Sequence, residues 1–406
     1  MSRALTPHRR LRRGRSIWYG TVASDVRTEE LPRVQVADVV VVGAGISGAL
    51  CALELARDGH QVIVLDRRTP TTGSTLASTA IIQFEIDQPI TRLADQIGWA
   101  RAARAWQCSW NAVQSLQHLV AREHVRCGMK PRRSLYLAGD AMDARELARE
   151  FRARQRAGLH GELVDRDRLQ RHFGIDRDGA ILSRGSASAN PVQLTAGLLR
   201  RVQQCGARIY ASANVQHVSA SRGGVWLEVE NDRAVLANHV VFCTGYELLH
   251  DIPKPSHEII STWAVAGDLL GAPPRWLRNT VVWEAADPYL YLRLHGNQLI
   301  AGGRDERHPT RYSARDTLAP KRARIADDVH TLLPTLDFKT THVWAGAFGN
   351  SPTALPIIDR VPGIPRGWFV AALGGNGITY SMIAAGIIRR AVRGERDPNA
   401  RLFRLQ

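Results

Sequence analysis

The chain has 406 residues, 44% of them hydrophobic and 23% charged, which excludes a largely disordered polymer and leaves room for two structural units. Its formal charge of +16 comes from arginine, fifty of the 54 basic residues. With no RNA-binding aromatic signature beside that charge, nucleic acid is not expected as the primary partner, although a positive field favours anionic ligands. The five cysteines are odd in number, widely spaced and form no C-x-x-C, which excludes a disulfide framework or zinc knuckle and fits a reducing cytoplasm.

Residues 1–35 read as a basic, partly disordered tail, because Arg3, Arg9, Arg10, Arg12, Arg13 and Arg15 precede any acid. No apolar stretch follows these arginines, so a secretory signal is not expected. Residues 36–91 then carry the most informative pattern. Val39 to Val42 form a β-branched run typical of a parallel strand buried on both faces. Gly43-Ala44-Gly45-Ile46-Ser47-Gly48 follows at once and opens an Ala- and Leu-rich helix, with Gly59 placed as its cap. A second strand, residues 60–65, ends at Asp66.

Each part has a chemical reason. Gly43 permits the tight turn, Gly45 lets the backbone approach a pyrophosphate, and Gly48 lets helix and strand pack closely. The helix N-terminus offers free N–H donors and partial positive charge to that pyrophosphate. Asp66 is spaced to accept from ribose hydroxyls. Strand, glycines, helix, strand and acid in register predict a Rossmann-type dinucleotide site. Next, Gly73-Ser74-Thr75-Leu76-Ala77-Ser78-Thr79-Ala80 offers small hydroxyl residues suited to a phosphate and ribityl chain.

Residues 92–172 read as mostly helical, with Trp99, Trp106 and Trp110 near helical spacing and expected in a core. Residues 181–255 return to nucleotide-site features, ending in a buried strand at 238–246 with a turn at Thr244-Gly245. Residues 256–303 alternate as sheet strands, and a hairpin is expected at His295-Gly296-Asn297. Residues 339–406 contain an uncharged stretch, 367–388, of about membrane-spanning length. The Gly374–Gly377 break divides it into strand and helix, so no span is expected. That second glycine turn could stabilise negative charge on a reduced flavin, which favours FAD over NAD.

The chain from about residue 36 onward resembles the D-amino-acid oxidase, glycine oxidase and sarcosine oxidase family of FAD-dependent oxidoreductases. The resemblance rests on VVGAGISG, GSTLASTA, SANPVQLTAGLLRRVQQCGARIY, VVFCTGYE and FVAALGGNGITYSMIAAGII, in that order. It implies an α/β fold in which a Rossmann-type FAD-binding domain is interleaved with an α+β substrate domain whose mixed sheet covers the flavin. FAD-binding segments would be 36–91, 181–255 and 339–406, and substrate segments 92–180 and 256–338. Gly43, Gly45, Ile46, Ser47 and Gly48 would meet the pyrophosphate, and Asp66 with Arg67 the adenosine ribose. Ser74, Thr75, Ser78, Thr79 and Ala80 would line the phosphate and ribityl side. Val215 would meet the adenine through its backbone, and Thr244 and Gly245 would close a nearby turn. Gly375, Asn376, Gly377, Ile378 and Thr379 would approach the pyrimidine end of the flavin.

The implied activity is oxidation of the C–N bond of a small amine or amino acid by hydride transfer, giving an imine that hydrolyses. Such chemistry needs orientation, exclusion of water and a charge partner more than an acid–base triad. Tyr289, Tyr291 and Arg293 share strand parity and are the expected substrate face, with Arg293 clamping a carboxylate and Glu284 binding an ammonium. Arg304 is a further candidate. Leu76 and Ala77 stand where some relatives attach flavin through histidine, and no cysteine falls in WAGAFGNSP, so non-covalent FAD is expected and no metal. The strand LIAGG has no lysine to speed reaction with oxygen, so oxygen, a quinone or a carrier protein all remain candidate acceptors. Competing readings are an NAD-linked dehydrogenase, a flavoenzyme modifying tRNA and a non-catalytic flavin subunit of a complex.

Overall fold

A computed structural model describes residues 5–21, 26–221, 223–250, 252 and 257–405. The β-branched run becomes the middle of strand Val34–Val42, where Val39, Val40 and Val41 are fully buried. It sits inside a sheet because both neighbours, Val62–Leu65 and Arg233–Phe242, pair with it in parallel. The main path of this sheet runs Ile357–Arg360, Gly367–Ala371, Arg233–Phe242, Val34–Val42, Val62–Leu65, Arg208–Tyr210. Ile357–Arg360 is antiparallel to its neighbour, and the hairpin strands Val215–Ser221 and Gly224–Val229 extend from Arg233–Phe242.

Three helices pack together beside this sheet: Ile46–Arg57, Pro191–Gln204 and Gly377–Val392. The uncharged stretch is therefore the strand Gly367–Ala371 and the start of a helix, as its glycines require. Among the described residues no helix is long and apolar enough to cross a membrane.

The second sheet follows the order Arg12–Arg15, Phe338–Asn350, Glu258–Leu269, Gln298–Glu306, Leu290–His295, Thr280–Glu284, Lys130–Leu137, Gly179–Ser188, Ile81–Ile82, with Gly161–Asp165 also on Gly179–Ser188. Thr280–Glu284 and Lys130–Leu137 pair in parallel, and the other pairs are antiparallel. The expected hairpin is present, with His295 opposite Gln298. Residues 92–172 are less helical than their periodicity suggests. Lys130–Leu137 and Gly161–Asp165 are strands, because Ser134, Leu135, Tyr136 and Leu137 are all buried between sheet neighbours. Trp106 is in the core, whereas Trp110 is exposed.

The basic N-terminus is not a free tail over residues 5–21. Arg12–Arg15 pairs antiparallel with Phe338–Asn350, supplying the partner that an edge strand otherwise lacks. Leu11 and Trp18 are buried, and the arginines donate to carbonyls: Arg12 Nε to Thr72 O at 3.2 Å and Arg13 Nη1 to Ser313 O at 3.1 Å. Residues 1–4 of the expected tail, Arg3 among them, lie outside the described residues, as do 22–25.

Candidate active site

The glycine turn builds the first wall of a cavity between the two sheets. Gly43 has φ +115°, and a Cβ there would stand 2.3 Å from Cys243 O. A Cβ on Gly48 would stand 1.8 Å from Gly43 O. Only glycine satisfies either position without moving backbone. Gly45 precedes helix Ile46–Arg57 and gives its first turn no side-chain cap. The leading amides therefore keep hydrogen-bonding capacity for an anion. Ile46 N donates to Thr75 Oγ1 at 3.2 Å, which ties the turn to Ser74–Ala77.

Asp66 stands at the end of Val62–Leu65, and its carboxylate accepts from Ala44 N and Arg68 N, both at 2.7 Å. Burial pushes its pKa up, and those two amides and the nearby Arg68 and Arg67 oppose the rise. Arg68 forms a two-pronged pair with Glu247, 2.7 Å on each side, and holds Arg9 O at 3.1 Å. Arg67 donates to Thr6 Oγ1. Glu247 is held well ionised, its burial outweighed by Arg68, the Arg9 amide and Arg67. Thr6, Leu5 and Leu11 line the cavity here. The N-terminal segment is thus part of the wall.

Of the residues expected at a nucleotide, Gly43, Gly45, Ile46, Ser47, Asp66, Arg67, Ser74, Thr75, Ser78, Thr79, Val215, Thr244, Gly245, Gly375, Asn376, Gly377 and Ile378 line this cavity. Gly48, Ala80 and Thr379 do not appear on its surface. Gly48 acts through packing on Gly43, Ala80 is buried, and Thr379 Oγ1 donates to Gln83 O at 2.9 Å. Ser74 Oγ and Thr71 Oγ1 are buried on the cavity wall without a hydrogen-bond partner. Orphaned hydroxyls beside uncapped helical amides suit a phosphate-bearing ligand. The residues present fit FAD.

The opposite end is closed by Trp283, Tyr246, Tyr289, Tyr291, Gln83 and Asp87. Tyr289 and Tyr291 lie 5.7 Å apart, ring to ring. The turn before helix Gly377–Val392 enters here: Gly375 N donates to Asp87 Oδ2 at 3.1 Å, and Asn376 Nδ2 to Glu85 O at 2.6 Å. Burial raises the pKa of Asp87, and the amide of Gly375 counters only part of that. The sequence did not single out Asp87, Gln83, Tyr246 or Trp283; their signal is a lone polar or aromatic residue whose meaning depends on distant neighbours.

Arg293 and Glu284 require correction as substrate ligands. Arg293 shares the inward face with Tyr291, yet it passes behind the cavity and is buried. Its Nε donates to Thr79 O at 2.8 Å and its Nη2 to Ala189 O at 2.9 Å, so its donors hold backbone. Burial, with Arg132 nearby, lowers its pKa to about 9. Glu284 is taken by Arg177, with Nη2 at 2.8 Å, and does not line the cavity. Arg304 is paired with Asp328. We predict that Arg293→Ala destabilises the protein by roughly 2–6 kcal/mol, about 1–3 kcal/mol for each of two buried carbonyls left without a donor. Urea titration measures this; a normal midpoint with a raised KM would restore Arg293 as a substrate ligand.

Comparison with known proteins agrees with this geometry. The family model described as FAD dependent oxidoreductase matches residues 38–391. A probable oxidoreductase OrdL of Haemophilus influenzae is 22% identical over 94% of this chain and 88% of its own length. Gamma-glutamylputrescine oxidoreductase of Escherichia coli is 22% identical over 89% of this chain and 84% of its own. Glycine oxidase from Geobacillus kaustophilus has the same fold, with a TM-score of 0.75, 19% identity, and coverage of 92% of this chain and 99% of that one. With a nucleotide cradle in which Gly43 and Gly48 leave no room for a side chain and a family match across most of its length, the chain belongs to the FAD-dependent oxidoreductases, and FAD is its cofactor.

Proposed function

We propose that the protein oxidises the C–N bond of a small amine at the Tyr289–Tyr291 end of the cavity, using non-covalently held FAD. The observation that carries this reading is the continuity of one cavity from the glycine turn at Gly43 to a cluster of aromatic rings and a carboxylate. Relatives named for oxidising glycine and gamma-glutamylputrescine support the amine class.

The chemistry FAD supplies when bound is two-electron oxidation, taking hydride from the carbon that bears nitrogen. The substrate nitrogen gives up a proton, and the resulting imine takes up water to yield a carbonyl compound and the released amine or ammonia. The chain contributes binding and orientation. No histidine lines the cavity among the described residues, so proton acceptance falls to a carboxylate or to water. Tyr289, Tyr291 and Trp283 exclude bulk solvent and keep the nitrogen-bearing carbon in one pose. Burial raises the pKa of both tyrosines, so they act as neutral hydrogen-bonding groups across the working range.

The test is direct. Purified protein should be yellow, and acid precipitation should release that colour to the supernatant, because Leu76, fully buried, and Ala77, on the cavity wall, offer no nucleophile at this turn. Amines added without oxygen should bleach the flavin. Colour retained in the pellet would refute non-covalent binding, and a flavin that no amine or amino acid reduces would refute amine oxidation. Repeating the turnover with oxygen and with a soluble quinone separates the candidate acceptors.

A further inference from the structure

We propose that the substrate end of the cavity is built for a cationic amine with no carboxylate beside the carbon that is oxidised: Asp87, backed by Asp305, holds an ammonium among the rings of Tyr246, Tyr289 and Tyr291. The inference deepens the amine-oxidation reading and rests on it for the reaction, though not for the binding.

The first observation is the charge of the chamber. Among the described residues, the cationic side chains that line the cavity are Arg67 and Arg68, and both belong to the opposite end, with Asp66 and Glu247. An α-amino acid brings a carboxylate as well as an ammonium. Nothing cationic lines the wall around Tyr289, Tyr291 and Asp87 to receive one, since Arg293 and Arg304 are spent on Thr79, Ala189 and Asp328. A carboxylate placed there would meet the like charge of Asp87.

The second observation is the state of the two acids. Asp87 accepts a hydrogen bond from Gly375 N and is otherwise open to the cavity it lines. Both carboxylate oxygens of Asp305 are shielded from solvent and neither has a formed hydrogen bond. Thr262 and Tyr289, which do line the cavity, stand close enough to lower its pKa, but burial wins and raises it to about 6. The acid has no dedicated counter-ion. Lys321 is the nearest candidate, and its ammonium is committed to Glu306 at 2.8 Å and to the Trp263 ring at 4.0 Å. An unpartnered buried carboxylate behind a ligand wall calls for a charge that arrives with the ligand.

The backbone aims Asp305 this way. Between the pairs Trp263–Gly303 and Ser261–Glu306 the register slips, so that Arg304 and Asp305 face Thr262 alone, and Arg304 adopts φ +57°. This bulge turns the strand end and sets Asp305 toward Thr262 and Tyr289. Aromatic faces complete the site: an ammonium between a carboxylate and tyrosine rings gains from both. Asp87, Tyr246, Tyr289 and Tyr291 all line this one cavity.

Two probes of equal shape test the pocket in the holoenzyme apart from turnover. Tert-butylammonium has no hydrogen on its nitrogen-bearing carbon and cannot be oxidised; pivalate is its carboxylate counterpart. Titration followed by the flavin difference spectrum should show tert-butylammonium binding at least tenfold more tightly than pivalate. Asp87→Asn should weaken it tenfold or more while flavin content stays at the wild-type level, and Asp305→Asn should weaken it by a smaller factor. Anaerobically, 1,4-diaminobutane should reduce the flavin at least tenfold faster than glycine or either alanine enantiomer at equal concentration. Pivalate binding as tightly as the ammonium, or an α-amino acid outpacing the diamine, would overturn the proposal. If no compound reduces the flavin, amine oxidation falls; the pocket then stands if Asp87→Asn weakens ammonium binding and falls if it does not.

Discussion

Gly48→Ala is expected to yield a folded but nearly colourless protein. A methyl group at residue 48 would stand 1.8 Å from Gly43 O, well inside contact, and the obstacle is backbone, which cannot swing aside as a side chain can. Helix Ile46–Arg57 must then retreat from the turn, and its leading amides move with it. A hydrogen bond to a charged group is worth about 1.5–3 kcal/mol, so losing two to the pyrophosphate weakens FAD binding by roughly two to four orders of magnitude. Equilibrium dialysis against FAD measures the loss, with circular dichroism to check the fold. Gly386→Ala is the control: nothing lies within 4 Å of its Cβ position and it sits inside helix Gly377–Val392. It should keep its flavin and gain up to about 1 kcal/mol from helix propensity. Equal flavin content in Gly48→Ala and wild type would mean that the turn does not hold the pyrophosphate.

The reason this site could be read from sequence is that its demands are local. The valine run, the three glycines, Asp66 and the 73–80 segment answer constraints that act within one strand–turn–helix unit, and each residue type follows from its own chemistry. What was illegible depends on partners far away in the chain. Arg293 looked like a clamp because strand parity placed it beside Tyr291, and parity was correct. Its fate was decided by carbonyls at Thr79 and Ala189, which no spacing rule connects to it. Asp305 depends on a bulge that shifts register by one residue, and no period-two pattern reveals a bulge before the ladder is known. The arginines at the start resembled a solvated tail since charge dominates their composition. The two apolar residues that anchor them, Leu11 and Trp18, have partners between residues 73 and 347.

Trp18→Ala should cost about 3–5 kcal/mol of stability, as expected for deleting a buried aromatic side chain. Trp18 is wholly buried and packs with Leu76, Val192, Ala264, Ala266, Ile300 and Trp344, so it joins the Ser74–Ala77 turn to the strands of the second sheet. Its Nε1 donates to Ser78 O at 2.7 Å, and its ring meets His295 edge-on at 4.9 Å with the Arg293 guanidinium 5.5 Å away. The same turn carries Ser74, Thr75, Ser78 and Thr79 on the cavity wall. A gap at residue 18 therefore loosens both the docked N-terminal strand and the wall against which FAD lies. Trp18→Phe separates the two contributions: it keeps most of the packing and gives up the bond to Ser78, worth about 0.5–1.5 kcal/mol. Urea midpoints followed by far-ultraviolet circular dichroism, alongside the rate at which flavin fluorescence appears on dilution, should rank wild type, Trp18→Phe and Trp18→Ala in that order. A Trp18→Ala protein with the midpoint and flavin release of the wild type would show that residues 11–18 are not docked in solution. It would return the arginine-rich start to the status of a free tail.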